Sequence, residues 1–285
     1  MRRLEAAAQP DAGAGPHSSD DLTTFTTITA PNPGPKTLQG TNTYVVGEES
    51  LVVIDPGPAI SSHVENIRQA TQGREVLGVF VTHGHPDHAP AAVPLARDLR
   101  VPVFASKRLR IDFGDVVVRP LSAGLVFELG AQRLIAIESR GHSDDHFCFL
   151  LEPGSVLFSG DVILGAGTSL IALPEGDMSA YVETLERLRG LRPTIIAPGH
   201  GPLVDDPESK IQEYLSHRRE RERALIVTLQ SGSLTAADLV HRVYGVDSGP
   251  TFELAVLSVE AQLAKLVKEE RVVVTGDRYS LRAAS

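Results

Sequence analysis

Four side chains that can bind a metal ion lie within six residues of the chain. They are His83, His85, Asp87 and His88. Imidazole nitrogens and carboxylate oxygens are donors that suit zinc and other borderline first-row metals. Gly84 and Pro86 argue against a helix here, so this is not the two-histidine helical signature of zinc proteases. The segment therefore predicts a metal-binding loop.

The metal-binding loop follows a segment with the character of a buried strand. Val76–Val81 is apolar and contains β-branched residues, which is typical of a strand covered on both faces. Loops that leave a rigid strand commonly present catalytic groups. The four metal-binding side chains are therefore expected on a loop that a rigid strand holds in place.

Three more short loops place a His or an Asp beside glycine, just after an apolar strand. They carry His142 after Leu134–Ile137, Asp161 after Val156–Phe158, and His200 after Thr194–Ile196. Glycine permits tight backbone paths that let a side chain reach a shared point. Each loop alone is more simply explained as a turn. Together with the first loop, they predict one metal centre.

These seven side chains resemble the pattern of the metallo-β-lactamase superfamily. That pattern is His-x-His-x-Asp-His, followed by a histidine, an aspartate and a histidine, and the similarity runs from about Leu38 to the end of the chain. The resemblance implies an α/β fold, an αβ/βα four-layer sandwich with two metals between its sheets. It assigns one metal to His83, His85 and His142 and the other to Asp87, His88 and His200, with Asp161 bridging them.

A narrower resemblance is to the lactamase-β-like 2 proteins. It is carried by Leu38–Tyr44, Gly141–His146, Gly160–Gly165, Pro198–Pro202 and Ser216–Arg218. Known relatives in that family include a zinc-dependent endoribonuclease that acts on single-stranded RNA. Others in the same neighbourhood hydrolyse thioesters, among them acyl-carrier-protein-bound polyketides. The resemblance therefore constrains the mechanism better than the substrate.

The resemblance implies a hydrolase with two divalent metal ions, with Zn2+ favoured and Mn2+ or Fe as alternatives. Such a pair lowers the pKa of bound water to about 7, so that a metal-bridging hydroxide can act as the nucleophile. Asp87 positions this hydroxide, and Asp55 and His146 are expected beside the ligands, although a structural role for His146 is equally open. A structural zinc site is disfavoured because no cysteine is near. Diiron redox chemistry is a minor alternative, since such relatives usually carry glutamate at the position of Asp87.

The substrate stays open between two classes. The narrower hypothesis is a single-stranded RNA endonuclease, and the alternative is a thioester or ester hydrolase of the acyl-thioesterase or glyoxalase II type. Asn42 and Thr168 are candidate pocket residues. The net charge of −9, the 5% aromatic content and the lack of tryptophan disfavour a nucleic-acid coat. We interpret the basic run His217–Arg223 as a solvated helix face, and a non-enzymatic RNA-binding module is a third hypothesis.

The rest of the chain supplies the elements that must position this centre. Residues 1–22 predict a flexible tail, 23–204 the metal-binding domain and 205–285 a winged-helix-like C-terminal domain. Further strands are predicted at Asn42–Val46, Leu51–Ile54, Val101–Phe104, Val116–Val118, Leu125–Glu128 and Phe147–Leu151. Helices are predicted from Ser61, capped by serine, and at Pro90–Leu99, Met178–Leu191, Ser209–Gln230, Leu234–Tyr244 and Phe252–Glu270, followed by a hairpin turning at Gly276-Asp277.

Cellular context follows from composition. No apolar run is long enough to cross a bilayer, and no signal peptide is apparent, so we expect a cytoplasmic protein without a membrane partner. Cys148 is the only cysteine and lies among apolar residues, which predicts a buried structural thiol. Pairing of two chains through the C-terminal domain is a further hypothesis.

Overall fold

The computed structural model describes residues 25–283, and the predicted flexible tail at 1–22 lies outside this range. The strands of the first sheet are β1 (Phe25–Thr29), β2 (Asn42–Val46), β3 (Ser50–Ile54), β4 (Glu75–Phe80), β5 (Val103–Ser106) and β6 (Val118–Leu121). They form a six-stranded sheet in chain order. β3, β4, β5 and β6 run parallel, and helices α1 (Ser61–Thr71) and α2 (Ala92–Leu99) make the crossovers before β4 and β5.

The second sheet has five strands in the order β11-β10-β9-β8-β7. Its strands are β7 (Val126–Leu129), β8 (Gln132–Glu138), β9 (Phe147–Glu152), β10 (Val156–Gly160) and β11 (Ile195–Pro198). β10 and β11 are parallel, and helix α3 (Met178–Gly190) connects them. The other pairs are antiparallel, so β8, β10 and β11 all end at the same edge of the sheet.

The two sheets pack face to face over an apolar core. Phe80 and Phe104 from the first sheet and Phe149 and Phe158 from the second belong to this layer. The outer face of the first sheet is covered by α1 and α2 through Ile67 and Leu95, among others. The second is covered by α3 and by the first half of α4 (Pro207–Leu229). These layers make the expected αβ/βα four-layer sandwich.

The C-terminal residues build a separate apolar cluster. α5 (Ala236–Tyr244) and α6 (Pro250–Lys268) pack against a small sheet of order β12-β14-β13, whose strands are β12 (Leu234–Thr235), β13 (Val272–Thr275) and β14 (Arg278–Leu281). The second half of α4 joins this cluster through Leu225 and Leu229. One helix therefore contributes to both cores. The winged-helix interpretation and the boundary at 205 stay predictions.

Several local predictions were wrong in detail. α1 begins after Ile60 without a side-chain cap, so the serines at 61 and 62 do not cap it. Leu234–Thr235 is a strand, and α5 starts after Thr235, which forms a capping box with Asp238. α4 starts at Pro207, because the Asp206 carboxylate accepts a hydrogen bond from the Ser209 amide. Strand β6 starts two residues later than predicted, since its partner on β5 sets the register.

None of the helices within residues 25–283 combines the length and hydropathy that a membrane span requires.

Candidate metal centre

The potential ligands meet at one end of the sandwich because their loops all leave the same edge. Thr82–His88 follows β4, and the loops that carry His142, Asp161 and His200 follow β8, β10 and β11. The amide of Phe147 donates to the carbonyl of Thr82 over 2.8 Å and so ties the two sheets together beside the cluster. Stacking of the sheets thus brings together side chains up to 117 positions apart in sequence.

Two groups of donor atoms result. His83, His85, His142 and Asp161 form the first group, and Asp87, His88 and His200 form the second. Within each group, the donor atoms all lie within 4.8 Å of one another. The structure therefore brings the seven predicted ligand side chains together, with Asp161 grouped with the first three histidines. Their assignment as metal ligands stays a prediction.

Spacings within the first group fit a cation. Nδ1 of His85 lies 2.9 Å from Nε2 of His83 and 3.1 Å from Nε2 of His142. Ligands about 2.0–2.1 Å from a tetrahedral zinc stand about 3.3 Å apart. The three imidazole nitrogens thus approach one another about as closely as they would around one zinc ion.

The second group is arranged similarly. Nε2 of His88 lies 3.3 Å from Nε2 of His200, and Oδ2 of Asp87 lies 3.2 Å from the same His200 nitrogen. Asp161 lies between the two groups: its Oδ1 is 3.3 Å from Nε2 of His88 and its Oδ2 is 3.7 Å from Nε2 of His142. Oδ1 is buried and accepts no hydrogen bond from the described residues, as expected of an atom that faces a cation.

In each of the five histidines of the two donor groups, the ring nitrogen that points away from the cluster has an oxygen partner. The partners are Thr82 Oγ1 for His83, Glu175 Oε2 for His85, Asp55 Oδ2 for His88, the Leu170 carbonyl for His142 and the Gly40 carbonyl for His200. A ring that donates from this nitrogen keeps the lone pair of its other nitrogen directed into the cluster. Such outer partners orient ligands around metals in proteins. The donor set therefore fits a pair of metal ions.

Asp55 contacts His88 of the second group directly and reaches His83 of the first group through Thr82. Its backbone adopts φ of 49°, a left-handed conformation that aspartate tolerates. Oδ1 accepts from the Thr82 amide at 2.7 Å, and Oδ2 accepts from the Thr82 hydroxyl at 2.7 Å. Because the Thr82 hydroxyl hydrogen goes to Asp55, its oxygen accepts from Nδ1 of His83. The sequence pattern assigned no role to Thr82, since only the tertiary structure shows this contact.

His146 is buried against the first group but is not one of its donors. Its ring stacks on His83 with centroids 4.8 Å apart. Nε2 of His146 accepts a hydrogen bond from the Asp161 amide at 3.2 Å. Burial lowers the pKa of His146 well below its usual value, so the ring is neutral and can accept this bond. It supports the backbone at Asp161.

The carboxylates concentrate positive charge on the second group. Burial alone would lower the pKa of His200, but the neighbouring carboxylates of Asp161 and Asp87 outweigh it and raise the pKa to about 9. Burial of His88 is likewise outweighed by Asp161 and Asp55, and its pKa is raised well above the usual value. A divalent cation must compete with these protons, so its binding weakens as the pH falls.

The glycines beside the ligands leave room that a side chain would fill. A Cβ on Gly199 would lie 2.7 Å from Oδ1 of Asp161 and 2.7 Å from the His88 ring. Any other residue at this position would push two potential ligands apart. This explains in steric terms why a glycine precedes His200.

The two predicted pocket residues occupy different environments. The Asn42 amide donates to the carbonyls of Pro198 and Gly201 at 3.0 and 2.9 Å, and so fastens the His200 loop to strand β2. Thr168 is half-buried in the loop that follows Asp161. A cavity adjoins His85, and neither residue lines it. Their role in substrate binding stays a prediction.

An open cavity of about 350 Å³ adjoins His85. Its walls are formed by Gly84, His85, Arg108, Leu109, Arg110, Ser143, Asp144, Asp145, Pro174 and Glu175. Arg108 is paired with Glu138, which lies outside the cavity, at 2.7 Å. Arg110 and Asp144 have no ion-pair partner among residues 25–283. The cavity therefore presents acidic, basic and apolar groups next to the first donor group. Sequence reasoning gave no role to Glu175 or the arginines, which no motif marks.

A two-sheet sandwich with a paired His/Asp centre defines a metal-dependent hydrolase of the metallo-β-lactamase fold. A family model described as the metallo-beta-lactamase superfamily matches residues 37–200. The chain is 33% identical over 254 residues to a "Beta-lactamase-like protein 2 homolog" of Caenorhabditis elegans, and this similarity covers 86% of this chain and 84% of the relative. The chain belongs to the metallo-β-lactamase superfamily and, within it, to the β-lactamase-like protein 2 family.

Two further comparisons agree with this assignment. The chain is 32% identical over 254 residues to "Atrochrysone carboxyl ACP thioesterase nsrC" of Aspergillus novofumigatus, covering 84% of this chain and 76% of the relative. The crystal structure of a β-lactamase domain protein from Burkholderia ambifaria superposes with a TM-score of 0.80 at 21% identity, over 97% of this chain and 96% of the other. The second likeness establishes the fold alone.

Proposed function

We propose that this protein is a dinuclear metal-dependent hydrolase that cleaves small acyl thioesters or esters. The observation that carries the proposal is Asp161, whose two carboxylate oxygens face separate groups of ligands. One cation would be held by His83, His85 and His142. The other would be held by Asp87, His88 and His200, with Asp161 shared between them.

When bound, two divalent cations would polarise the substrate carbonyl and ionise a water molecule near neutral pH. Asp87 is the ligand of the second group that meets solvent, since its side chain is 25% exposed while those of His88 and His200 are buried. This position suits Asp87 to orient the attacking water. Water adds to the carbonyl carbon, the carbon–sulfur bond breaks, and the proton goes to the leaving sulfur, giving an acid and a thiol.

The cavity beside His85 favours a small acyl substrate over a strand of RNA. Asp144 and Glu175 line it together with Arg108 and Arg110, so its wall is not the basic groove that tracks a nucleic-acid backbone. Leu109 and Pro174 supply apolar surface for an acyl group. The similarity to a carrier-protein thioesterase supports the same class of substrate.

Single-stranded RNA cleavage is the second candidate, and the arginines at 108 and 110 favour it. Both belong to the wall of the cavity next to His85, where they could contact phosphates. The three acidic residues in the same wall, Asp144, Asp145 and Glu175, act against this. A non-enzymatic RNA-binding module is the least favoured, because RNA binding alone needs no paired donor groups.

Zinc is the metal that we propose, because five imidazoles together with carboxylates suit it, and Mn2+ or Fe are the alternatives. Elemental analysis of the purified protein tests this. About two zinc atoms per chain are expected, and a stoichiometry of one or none would contradict the dinuclear centre.

A parallel assay tests the substrate. The protein loaded with Zn2+ or Mn2+ is given acyl-thioesters, esters and a single-stranded RNA oligomer. Released thiol can be followed with a thiol reagent, because the only cysteine, Cys148, is fully buried and burial raises its pKa to about 12. We expect thioester turnover that Asp87→Ala abolishes. RNA cleavage without thioester or ester turnover would reverse the proposal.

We also propose that two chains pair through the C-terminal sheet. Strand β13 lies at the edge of that sheet and exposes Val273 and Val274, an arrangement that natural edge strands usually avoid or cover. Sedimentation at high concentration should show a dimer, and a monomer alone would remove this part of the proposal.

A further inference from the structure

Arg218 on helix α4 is a buried arginine without a carboxylate partner among residues 25–283. It is 5% exposed, and its Nη2 donates to the carbonyl of Ser169 at 2.5 Å. Its Nε has no hydrogen-bond partner in the described part of the chain, and its Cζ lies 5.3 Å from the centre of the Tyr181 ring. Burial of an unpaired guanidinium costs free energy. The contact with Ser169 therefore forms despite the free-energy cost of burying the guanidinium group.

Ser169 lies in the loop that supports the first group of metal ligands. Its hydroxyl reaches back to the carbonyl of Asp161 at 2.5 Å. The carbonyl of the next residue, Leu170, faces Nδ1 of His142 at 2.9 Å. One short loop thus holds the backbone of the shared aspartate and the ring orientation of a histidine.

The same loop is held at two more points from the helical layer. The Tyr181 hydroxyl donates to the carbonyl of Val162 at 2.7 Å. The amide of Leu164 donates to the Tyr214 hydroxyl at 2.9 Å. The contact of Arg218 with Ser169 is the third of these contacts and lies furthest along the loop. Ser169 directly precedes Leu170, whose carbonyl faces His142.

Helix α4 connects this loop to the C-terminal cluster. Tyr214, Arg218 and Glu222 are spaced four residues apart and so follow one stripe of the helix. Glu222 binds Gln262 at 3.0 Å and Lys265 at 2.5 Å, both on α6, and also Arg271. The same stripe therefore contacts the metal-site loop at one end and the C-terminal helices at the other.

We propose that Arg218 is a positioning residue for the metal centre. By holding Ser169, it sets the loop in which Asp161 and Leu170 direct the first group of donors, and it makes the C-terminal region part of the metal-binding structure. The inference rests on the metal centre of the proposed function and is independent of the substrate.

The test is metal affinity, measured by competition with a chromophoric zinc chelator. Arg218→Met keeps much of the side chain's bulk but cannot donate to Ser169. We expect its zinc affinity to fall by about 10–100-fold, the range typical of lost outer-shell partners. The absorption bands of the Co2+-substituted protein should shift as well, because the geometry around His142 changes. Arg218→Lys keeps the charge and one donor and should restore part of the affinity.

Arg219→Met is the matched control. Arg219 is the next residue on α4, is 60% exposed in its side chain and pairs with Glu186, so this variant should match the parent in affinity and spectrum. Ser169→Ala attacks the same loop from its other side and should lower zinc affinity without adding fully to Arg218→Met. This variant tests whether the loop sets the metal site, and Arg218→Lys is measured in place of Arg218→Met if the latter fails to fold.

The role of Arg218 would be overturned if Arg218→Met, or Arg218→Lys in its place, showed the parental zinc affinity and the parental Co2+ spectrum. An equal loss in Arg219→Met would also overturn it, because the effect would then be general. Failure of the parent protein to bind any divalent cation is a separate result that refutes the metal centre itself.

Discussion

The Asp55 carboxylate lies 2.8 Å from Nδ1 of His88, and both side chains are fully or almost fully buried. The same carboxylate receives the hydroxyl of Thr82, which accepts from His83. One aspartate on the first sheet therefore orients a ligand in each of the two donor groups. This arrangement couples the two groups: any change at Asp55 must disturb both.

We predict that Asp55→Ala weakens both metal sites. The variant removes the acceptor of His88 directly and that of His83 through Thr82, so zinc affinity should fall by about 10–100-fold at each site. Stepwise chelator competition measures the two affinities. Asp98→Ala is the control, since Asp98 is exposed and pairs with Arg68, away from the metal ligands. Loss at one site alone would contradict the coupling.

We predict that Asp87→Ala abolishes hydrolysis while the protein stays folded. Asp87 is partly exposed and contributes no core packing, whereas its carboxylate faces His200 at 3.2 Å. The loss of turnover should exceed the factor of about 100 that an outer-shell partner costs. Turnover and bound metal per chain are measured together. His88→Ala should behave alike in turnover, and near-parental hydrolysis by either variant with metal present would refute the two-metal mechanism.

We predict that Asn42→Ala acts mainly on stability. It leaves the carbonyls of Pro198 and Gly201 without their donor, and the unfolding free energy should fall by about 2 kcal/mol. Denaturant titration measures this change. Thr168→Ala, in the loop after Asp161, should leave stability within about 0.5 kcal/mol and raise KM if Thr168 contacts the substrate. A large KM effect of Asn42→Ala at unchanged stability would instead favour its predicted pocket role.

We predict that His63 makes the fold sensitive to mild acid. His63 is buried on α1 and its Nε2 contacts the Thr43 hydroxyl at 2.8 Å. Burial lowers its pKa from 6.5 to about 4. The unfolded chain therefore binds a proton between these values and the folded protein does not. Stability is complete above about pH 6.5 and falls by about 1.4 kcal/mol per pH unit toward pH 4.

Comparison with His63→Gln isolates this contribution, because glutamine can still donate to Thr43 but does not titrate. Denaturant midpoints at pH 7.5 and 5.5 should differ more for the parent than for the variant. Equal pH dependence in the two proteins would show that His63 does not carry the effect.

Much of the fold was predictable from local patterns. The apolar runs that became β4, β9 and β10 lie within a residue or two of their predicted bounds, since burial on both faces leaves a clear signal. The pattern was less informative where tertiary pairing sets the ends, as at β6. It also failed at Leu234–Thr235, a two-residue strand that pairs with β14.

The seven candidate ligands could be found from sequence because metal chemistry limits the residue types, and glycine-containing loops after strands mark their places. Asp55 was expected beside the ligands, but only the tertiary structure decided which atoms it and the other orienting groups contact. Asp55 reaches His88 across 33 positions, Glu175 reaches His85 across 90, and Arg218 reaches Ser169 across 49. Such contacts depend on how two sheets and their helices stack, and no local pattern records that stacking. The residue types determined what could bind, and the packing decided how the binding atoms are held.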